Sequence, residues 1–272
     1  MKRYYTRACN FYYGRQSTDL VNKKKAFCLH QIKEISFDHI EIITRKSKRK
    51  ISINQIKNLP KLLKKKIKLD LKKIYAKKKN FSNMNFRKIP NILGVLNITP
   101  DSFSDGGKYN TREKAIIRAY DLFKSGANLI DIGGESTRPG SKKVNENVEW
   151  SRIGKILKSL KKIDLSLDTR KSNIMEKGIK LGVKLINDIS GLKYDIQTLD
   201  VLKKYRIPFV IQHSQGEPEN MQNDPKYKNE LLDIYDFFEE RINFLRSQGI
   251  KHNNIILDPG IGFGKNLKHN MN

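Results

Sequence analysis

Leu165-Ser-Leu-Asp-Thr-Arg-Lys-Ser-Asn-Ile-Met-Glu-Lys-Gly-Ile-Lys-Leu-Gly-Val-Lys-Leu-Ile-Asn187 reads as a strand, a helix and a second strand. Leu165–Asp168 and Lys184–Asn187 are apolar runs too short for helices, while Ser172–Leu181 carries helical spacing and meets a stop at Gly182. The same alternation extends in both directions. Ile92–Asn97 and Asn128–Ile132 precede the unit, and Pro208–Gln212 and Ile255–Asp258 follow it. Helical segments lie near Arg112–Ser125, Asn145–Leu160, Ile196–Tyr205 and Glu230–Gln248, with Gly126 and Gly249 as further stops. Short strands alternating with helices predict a parallel α/β sheet.

Each of the six strands ends on a polar residue: Asn97, Asp131, Asp168, Asn187, Gln212 followed by His213, and Asp258. In a TIM (β/α)8-type barrel the carboxyl ends of the strands share one mouth, where the chemistry sits. The expected fold is therefore an incomplete barrel of about six βα units, residues 89–272, behind a basic N-terminal extension, residues 1–88. Within that extension Phe37–Thr44 reads as a strand and Lys61–Lys79 as an amphipathic helix or a linker.

The chain has 272 residues and a net charge of +27. Residues 1–90 hold 26 Lys+Arg against 5 Asp+Glu, so the excess belongs to the N-terminal third. The basic runs lack the aromatic interleaving or zinc-finger pattern that reads bases, which argues against nucleic acid as a partner. No apolar run is long enough for a membrane span, and the N-terminus lacks the apolar stretch of a signal peptide, so the cytoplasm is the expected location. Cys9 and Cys28 have no metal-ligand spacing.

The motifs narrow the function. Gly94-Val-Leu-Asn-Ile-Thr-Pro-Asp-Ser-Phe-Ser-Asp-Gly-Gly107 and Asp131-Ile-Gly-Gly-Glu-Ser-Thr-Arg-Pro-Gly140 each run from a strand into a polar loop. Asp168-Thr-Arg-Lys171, Asn187-Asp-Ile-Ser-Gly191 and Asp258-Pro-Gly-Ile-Gly-Phe-Gly-Lys265 follow in order. A lone Asp at a strand end more often caps the next helix, but five signatures in sequence outweigh that reading. The Gly260–Gly264 run lacks the spacing of a nucleotide-binding loop. Asn97 and Asp105 offer hard oxygen ligands suited to Mg²⁺. Asp168 and Asp258 can accept hydrogen bonds, and Asn187 can donate and accept.

Residues 89–269 thus resemble the dihydropteroate synthases of the pterin-binding family. The resemblance implies a transferase of folate biosynthesis that condenses 6-hydroxymethyl-7,8-dihydropterin diphosphate with p-aminobenzoate to 7,8-dihydropteroate and diphosphate. It implies Mg²⁺ as cofactor at Asn97 and Asp105, and Phe103 on a lid, Thr99 to Gly107, over the second substrate. It also implies Thr137, Arg138 and Pro139 at the p-aminobenzoate side, Asp131, Asp168, Asn187 and Asp258 at the pterin side, Phe263 shielding the pterin pocket and Lys265 supporting the same loop. For Asp131 an ion pair with Arg138 is an equal alternative. His213 reads as a structural histidine, and Ser214 stands where the family usually has Met. Arg3-Tyr-Tyr5 and Phe11-Tyr-Tyr-Gly-Arg15 are similar to an N-terminal extension of some bacterial members. The family commonly forms homodimers.

Two rival readings remain: a pterin-binding methyltransferase of the corrinoid type, which does not need the Ser-Thr-Arg-Pro-Gly loop, and a non-catalytic basic protein that binds a polyanion through residues 1–90. The sequence ends at Asn272, where family members continue into two further βα units carrying a Ser-Arg-Lys and an Arg-x-His segment. The expectation is that the 272-residue chain alone is catalytically inactive and poorly stable. A steady-state assay for dihydropteroate formation checks this, and robust turnover contradicts it.

Overall fold

The computed structural model describes residues 3–82, 84–85, 90–99, 112–136, 140–216 and 221–271. The chain divides into two compact units, Met1–Lys79 and Asn80–Asn272. The first contains β1 (Tyr5–Tyr13), α1 (Gly14–Asn22), β2 (Phe27–Leu29), β3 (Ile32–Ile43), β4 (Lys48–Ser52) and α2 (Lys61–Tyr75). Long β3 is the centre of an antiparallel sheet, with β1 along one edge and β2 and β4 sharing the other. The lysine-rich stretch left open as helix or linker is a helix of this unit. It buries Ile67, backed by Leu63, Leu71 and Ile74, against Ile40, Ile42 and Ile51. Lys61, Lys65, Lys68 and Lys72 recur about one turn apart and stay exposed, as a helix with one apolar face requires.

The second unit runs β5 (Leu93–Asn97), α3 (Arg112–Lys124), β6 (Leu129–Gly133), α4 (Glu146–Ser159), β7 (Leu165–Asp168), α5 (Ser172–Lys180), β8 (Leu185–Asp188), α6 (Thr198–Tyr205), β9 (Phe209–Gln212), α7 (Glu230–Ser247), β10 (Ile255–Asp258) and α8 (Leu267–Met271). Its six strands pair in parallel in chain order from β5 to β10, as in part of a (β/α)8 barrel. Successive side chains of a strand point to opposite faces. Outward residues Ile130, Ile132, Leu167, Ile186, Phe209 and Ile211 therefore meet Ala119, Ile153, Leu157, Ile174 and Leu202 of the helices in the main core. Inward Leu129, Leu185 and Val210 form a second cluster at the amino ends of the strands, with Leu93 and Ile256 packed against it.

Phe81 and Met84 close that floor, and Ser82 hydrogen-bonds Asp164. Those contacts explain why the unit boundary falls at Asn80, ahead of the sequence boundary at residues 88 and 89. No described helix is long and apolar enough to cross a membrane.

Helix α5 lies so close to β7 that a Cβ on Gly178 would come 2.4 Å from Leu167 Cδ2, and Leu167 is fully buried. Helix propensity alone would have Gly178→Ala stabilise by about 1 kcal/mol. Overpacking costs about 1–3 kcal/mol. The expected net effect is a lower urea midpoint, read from the fluorescence of Trp150, the single tryptophan; a higher midpoint would show that α5 has room to move away.

Candidate active site at the barrel mouth

Strand register decides which polar tips can meet. Asn97 pairs with Gly133, Gly133 with Asp168, and Asp168 with Asn187, so these positions form one inward-facing row across β5 to β8. Asn187 is level with Val210, and Gln212 with Asp258, so the last two tips stand one pleat higher. Asp131, level with Ser166, stands one pleat lower. A Cβ at Gly133 would lie 3.1 Å from Asn97 Oδ1 and 3.3 Å from Asp168 Oδ2, so both side chains crowd over that bare position. Asn97, Asp131, Asp168 and Asn187 thus stand side by side on the inward face at the carboxyl end of the sheet, with Asp258 one pleat higher, and that face is the candidate hollow.

The hollow is acidic and only partly satisfied. Asn187 Nδ2 donates to Asp131 Oδ2 at 2.9 Å. Asp131 Oδ1, Asn187 Oδ1 and Gln212 Nε2 are buried without a hydrogen-bond partner among the described residues. Each such atom costs about 1–3 kcal/mol. Burial raises the Asp131 carboxyl above its usual range, against the pull of Ser166 and then Asn187. Solvent still reaches part of Asp168, yet its carboxyl is raised much further, by burial and then by the negative charges of Asp131, Glu149, Asp188 and Glu135. Asp188 faces the other way and accepts from Ser190 N at 2.7 Å and Leu192 N at 3.2 Å. Its burial pushes it up to about 6 despite those bonds.

A buried ion network stands behind the second motif and is absent from the sequence reading. Arg170 Nη2 bonds Glu135 Oε1 at 2.7 Å, and Lys171 Nζ bridges Glu135 Oε2 and Glu149 Oε2 at 2.5 Å each. Burial pushes Glu135 up, but hydrogen bonds from Arg170 and Lys171 outweigh it and hold the carboxyl low. Burial opposes the Lys171 charge, and the two glutamates outweigh it. The Arg170 guanidinium also lies 4.0 Å from the Tyr194 ring centroid. The network ties the Gly-Gly-Glu turn of β6 to the start of α5. Its only signal in the sequence is two adjacent cations at a strand end, whose acid partners lie 22 to 36 residues away in the chain.

The β10 loop is held by a second strut. Asp258 Oδ1 accepts from Gly260 N at 2.7 Å. Gly260 has φ +65°, and a Cβ there would fall 2.1 Å from His213 O, so only glycine fits. Lys265 Nζ donates to His213 O at 3.1 Å and to Gly260 O and Phe263 O at 3.0 Å, and it lies 3.0 Å from His213 Nδ1. Burial lowers Lys265 to about 8, and burial with the Lys265 charge lowers His213 to about 4. Lys265, expected to support this loop, has its ammonium engaged by the loop carbonyls and so fixes the segment bearing Asp258 and half-buried Phe263. His213 fits its structural reading, edge-on to Phe237 at 4.9 Å between ring centroids. Ser214 lies 3.4 Å from Gly216 O.

Phe103, Asp105, Thr137, Arg138 and Pro139 lie outside the described residues, as does the lid segment beyond Thr99. The Asp131–Arg138 ion pair is therefore not in view. Of the two expected metal ligands only Asn97 is described, and the described residues contain no group of three or more His, Cys, Asp or Glu able to hold a metal.

The second unit is a parallel α/β sheet ordered as in part of a (β/α)8 barrel, with acidic and amide side chains at its carboxyl edge. A family model described as "Pterin binding enzyme" matches residues 93–272, and the chain belongs to that family. It is 44% identical over 183 residues to the dihydropteroate synthase of Clostridium beijerinckii, covering 66% of this chain and 65% of that protein. A Yersinia pestis dihydropteroate synthase solved with a sulfonamide drug complex superposes with a TM-score of 0.64 at 43% identity, covering 67% of each chain. A Xanthomonas albilineans dihydropteroate synthase solved with 4-aminobenzoic acid gives 0.61 at 36% identity, over 67% of this chain and 65% of that one. The chain spans about two thirds of the length of these relatives.

Removing one member of a buried ion network costs about 3–5 kcal/mol. Lys171→Met is expected to destabilise the second unit by that much in urea, and adding Glu149→Gln is expected to restore part of the loss. Trp150, next to Glu149, reports both; additive losses would mean that the lysine and Glu149 are not coupled.

Proposed function

We propose that this protein is a dihydropteroate synthase of the cytoplasm and that the described residues supply its pterin side. The observation that carries the reading is the convergence of Asn97, Asp168, Asn187 and Asp258 on one hollow. A pterin presents an amino group, a ring N–H and a carbonyl along one edge. Asp168 and Asp258 accept from the donors, while Asn187 accepts through the Oδ1 that lacks a partner. Those bonds are worth most in a site that excludes water, because both sides would otherwise stay unpaired.

In this scheme dihydropterin diphosphate is held by its ring, the C–O bond to diphosphate breaks, and the aniline nitrogen of p-aminobenzoate forms the new C–N bond and then loses its proton. Thr137, Arg138 and Pro139 would line the p-aminobenzoate side, with Phe103 over it. Asn97 and Asp105 would hold Mg²⁺, which would supply positive charge to the leaving diphosphate. The chain's own part is to position both partners, so no strong base is assigned.

Asp168 separates binding from folding. In the free protein its pKa is raised, and a pterin donating to it favours the ionised form. Pterin affinity is therefore expected to rise as pH is raised through the Asp168 titration, with proton release seen by calorimetry in buffers of different ionisation heat. Asp168→Asn removes a buried charge among like charges, so it should unfold at higher urea at pH 8 yet bind 6-hydroxymethylpterin about 10- to 100-fold more weakly. Unaltered affinity in this variant, or no pterin binding by the parent chain, would overturn the assignment.

A further inference from the structure

Helix α2 turns its acid inward and its lysines outward. Asp70, the one carboxylate between Lys61 and Tyr75, is 8% exposed and accepts from Thr6 Oγ1 at 2.6 Å and from Lys66 Nζ at 2.5 Å. Lys61, Lys65, Lys68, Lys72 and Lys73 are exposed, and none has an acidic partner among the described residues. Two leucines share that outer face. Leu62 is 80% exposed and Leu69 52%, whereas Leu63, Ile67, Leu71 and Ile74 of the same helix pack into the core of the first unit. At roughly 3.6 residues per turn, Leu62 and Leu69 stand about two turns apart in one row, with Lys61, Lys65, Lys68 and Lys72 along one flank and Lys66 and Lys73 along the other.

A cationic row alone would fit any polyanion, and the rest of the face decides among them. From Lys61 to Ile74 the helix carries no Arg, no aromatic ring and no amide or hydroxyl group. It therefore has nothing to fork onto a phosphate, to stack a base or to read a base edge. Flexible lysines around exposed leucines suit a surface that is diffusely negative at its headgroups and apolar just beneath them. We propose that the outer face of α2 docks on an anionic lipid bilayer, with the lysines among the headgroups and Leu62 and Leu69 entering the boundary of the acyl chains. The helix lies along that surface, because its opposite face is held in the core of the first unit. This role belongs to the first unit and is independent of the pterin reading of the second.

Flotation of the full chain with lipid vesicles tests the role. The chain should rise with vesicles of phosphatidylcholine containing about 30% phosphatidylserine and stay behind with phosphatidylcholine alone, and binding should weaken as salt is raised. Lys65→Gln combined with Lys72→Gln should weaken binding about 20-fold, at about fivefold per lysine. Lys161→Gln combined with Lys162→Gln removes the same charge from exposed positions of the second unit and should change binding by less than about twofold. Leu62→Gln combined with Leu69→Gln keeps the charge, so it should weaken vesicle binding about tenfold and leave retention on a single-stranded oligonucleotide unaltered. The substituted side chains are exposed, so circular dichroism should match the parent; if one α2 pair misfolds, the other still decides. No flotation of the parent chain, equal losses from the two lysine pairs, or unaltered flotation of the leucine variant would overturn the role. Tighter binding to the oligonucleotide than to anionic vesicles would assign the face to nucleic acid and overturn it as well.

Discussion

The hydrogen-bonded register of β5 through β10 is the constraint on which the rest depends. Parallel pairing in chain order, combined with the two-residue alternation of a strand, fixes which side chains face the helices and which face the axis. Apolar outward positions build the main core, and the inward positions change from Leu129, Leu185 and Val210 at one end to Asp168, Asn187, Gln212 and Asp258 at the other. A slip of one residue in any strand would turn its tip into the helix layer.

Such a mouth carries a cost. Asp131 is buried beside half-buried Asp168, and Asn187 Oδ1 and Gln212 Nε2 have no partner among the described residues, which favours function over stability. The surrounding structure offsets this with two rigid struts. Lys171 and Arg170 tie the β6 turn to α5, and Lys265 ties the β10 loop to the end of β9. Neither strut presents a free charge to the hollow; each holds a segment that does contribute to it.

Much of the second unit was legible in the sequence because its signals are local. Short apolar runs ending at or beside Asn, Asp or Gln mark all six strands, and the order of motifs puts Asn97, Asp168, Asn187 and Asp258 near their tips. The misses are long-range. Lys171 looks like a surface cation until Glu135 and Glu149, 36 and 22 residues away, are brought beside it. Phe81 and Met84 lie in a polar stretch that reads as a connection, yet they seal the barrel floor. β1 mixes Thr6, Arg7, Cys9 and Asn10 along a sheet edge, so no clean alternation announces it.

The central claim is that these separate tips recognise one flat heterocycle together. A crystal structure of the full chain grown with 6-hydroxymethylpterin tests it most directly. The account predicts the ring in the hollow, with carboxylates of Asp168 and Asp258 and the amide of Asn187 within hydrogen-bonding distance of its edge. A ring bound elsewhere, or those three side chains turned away from a common ligand, would contradict it.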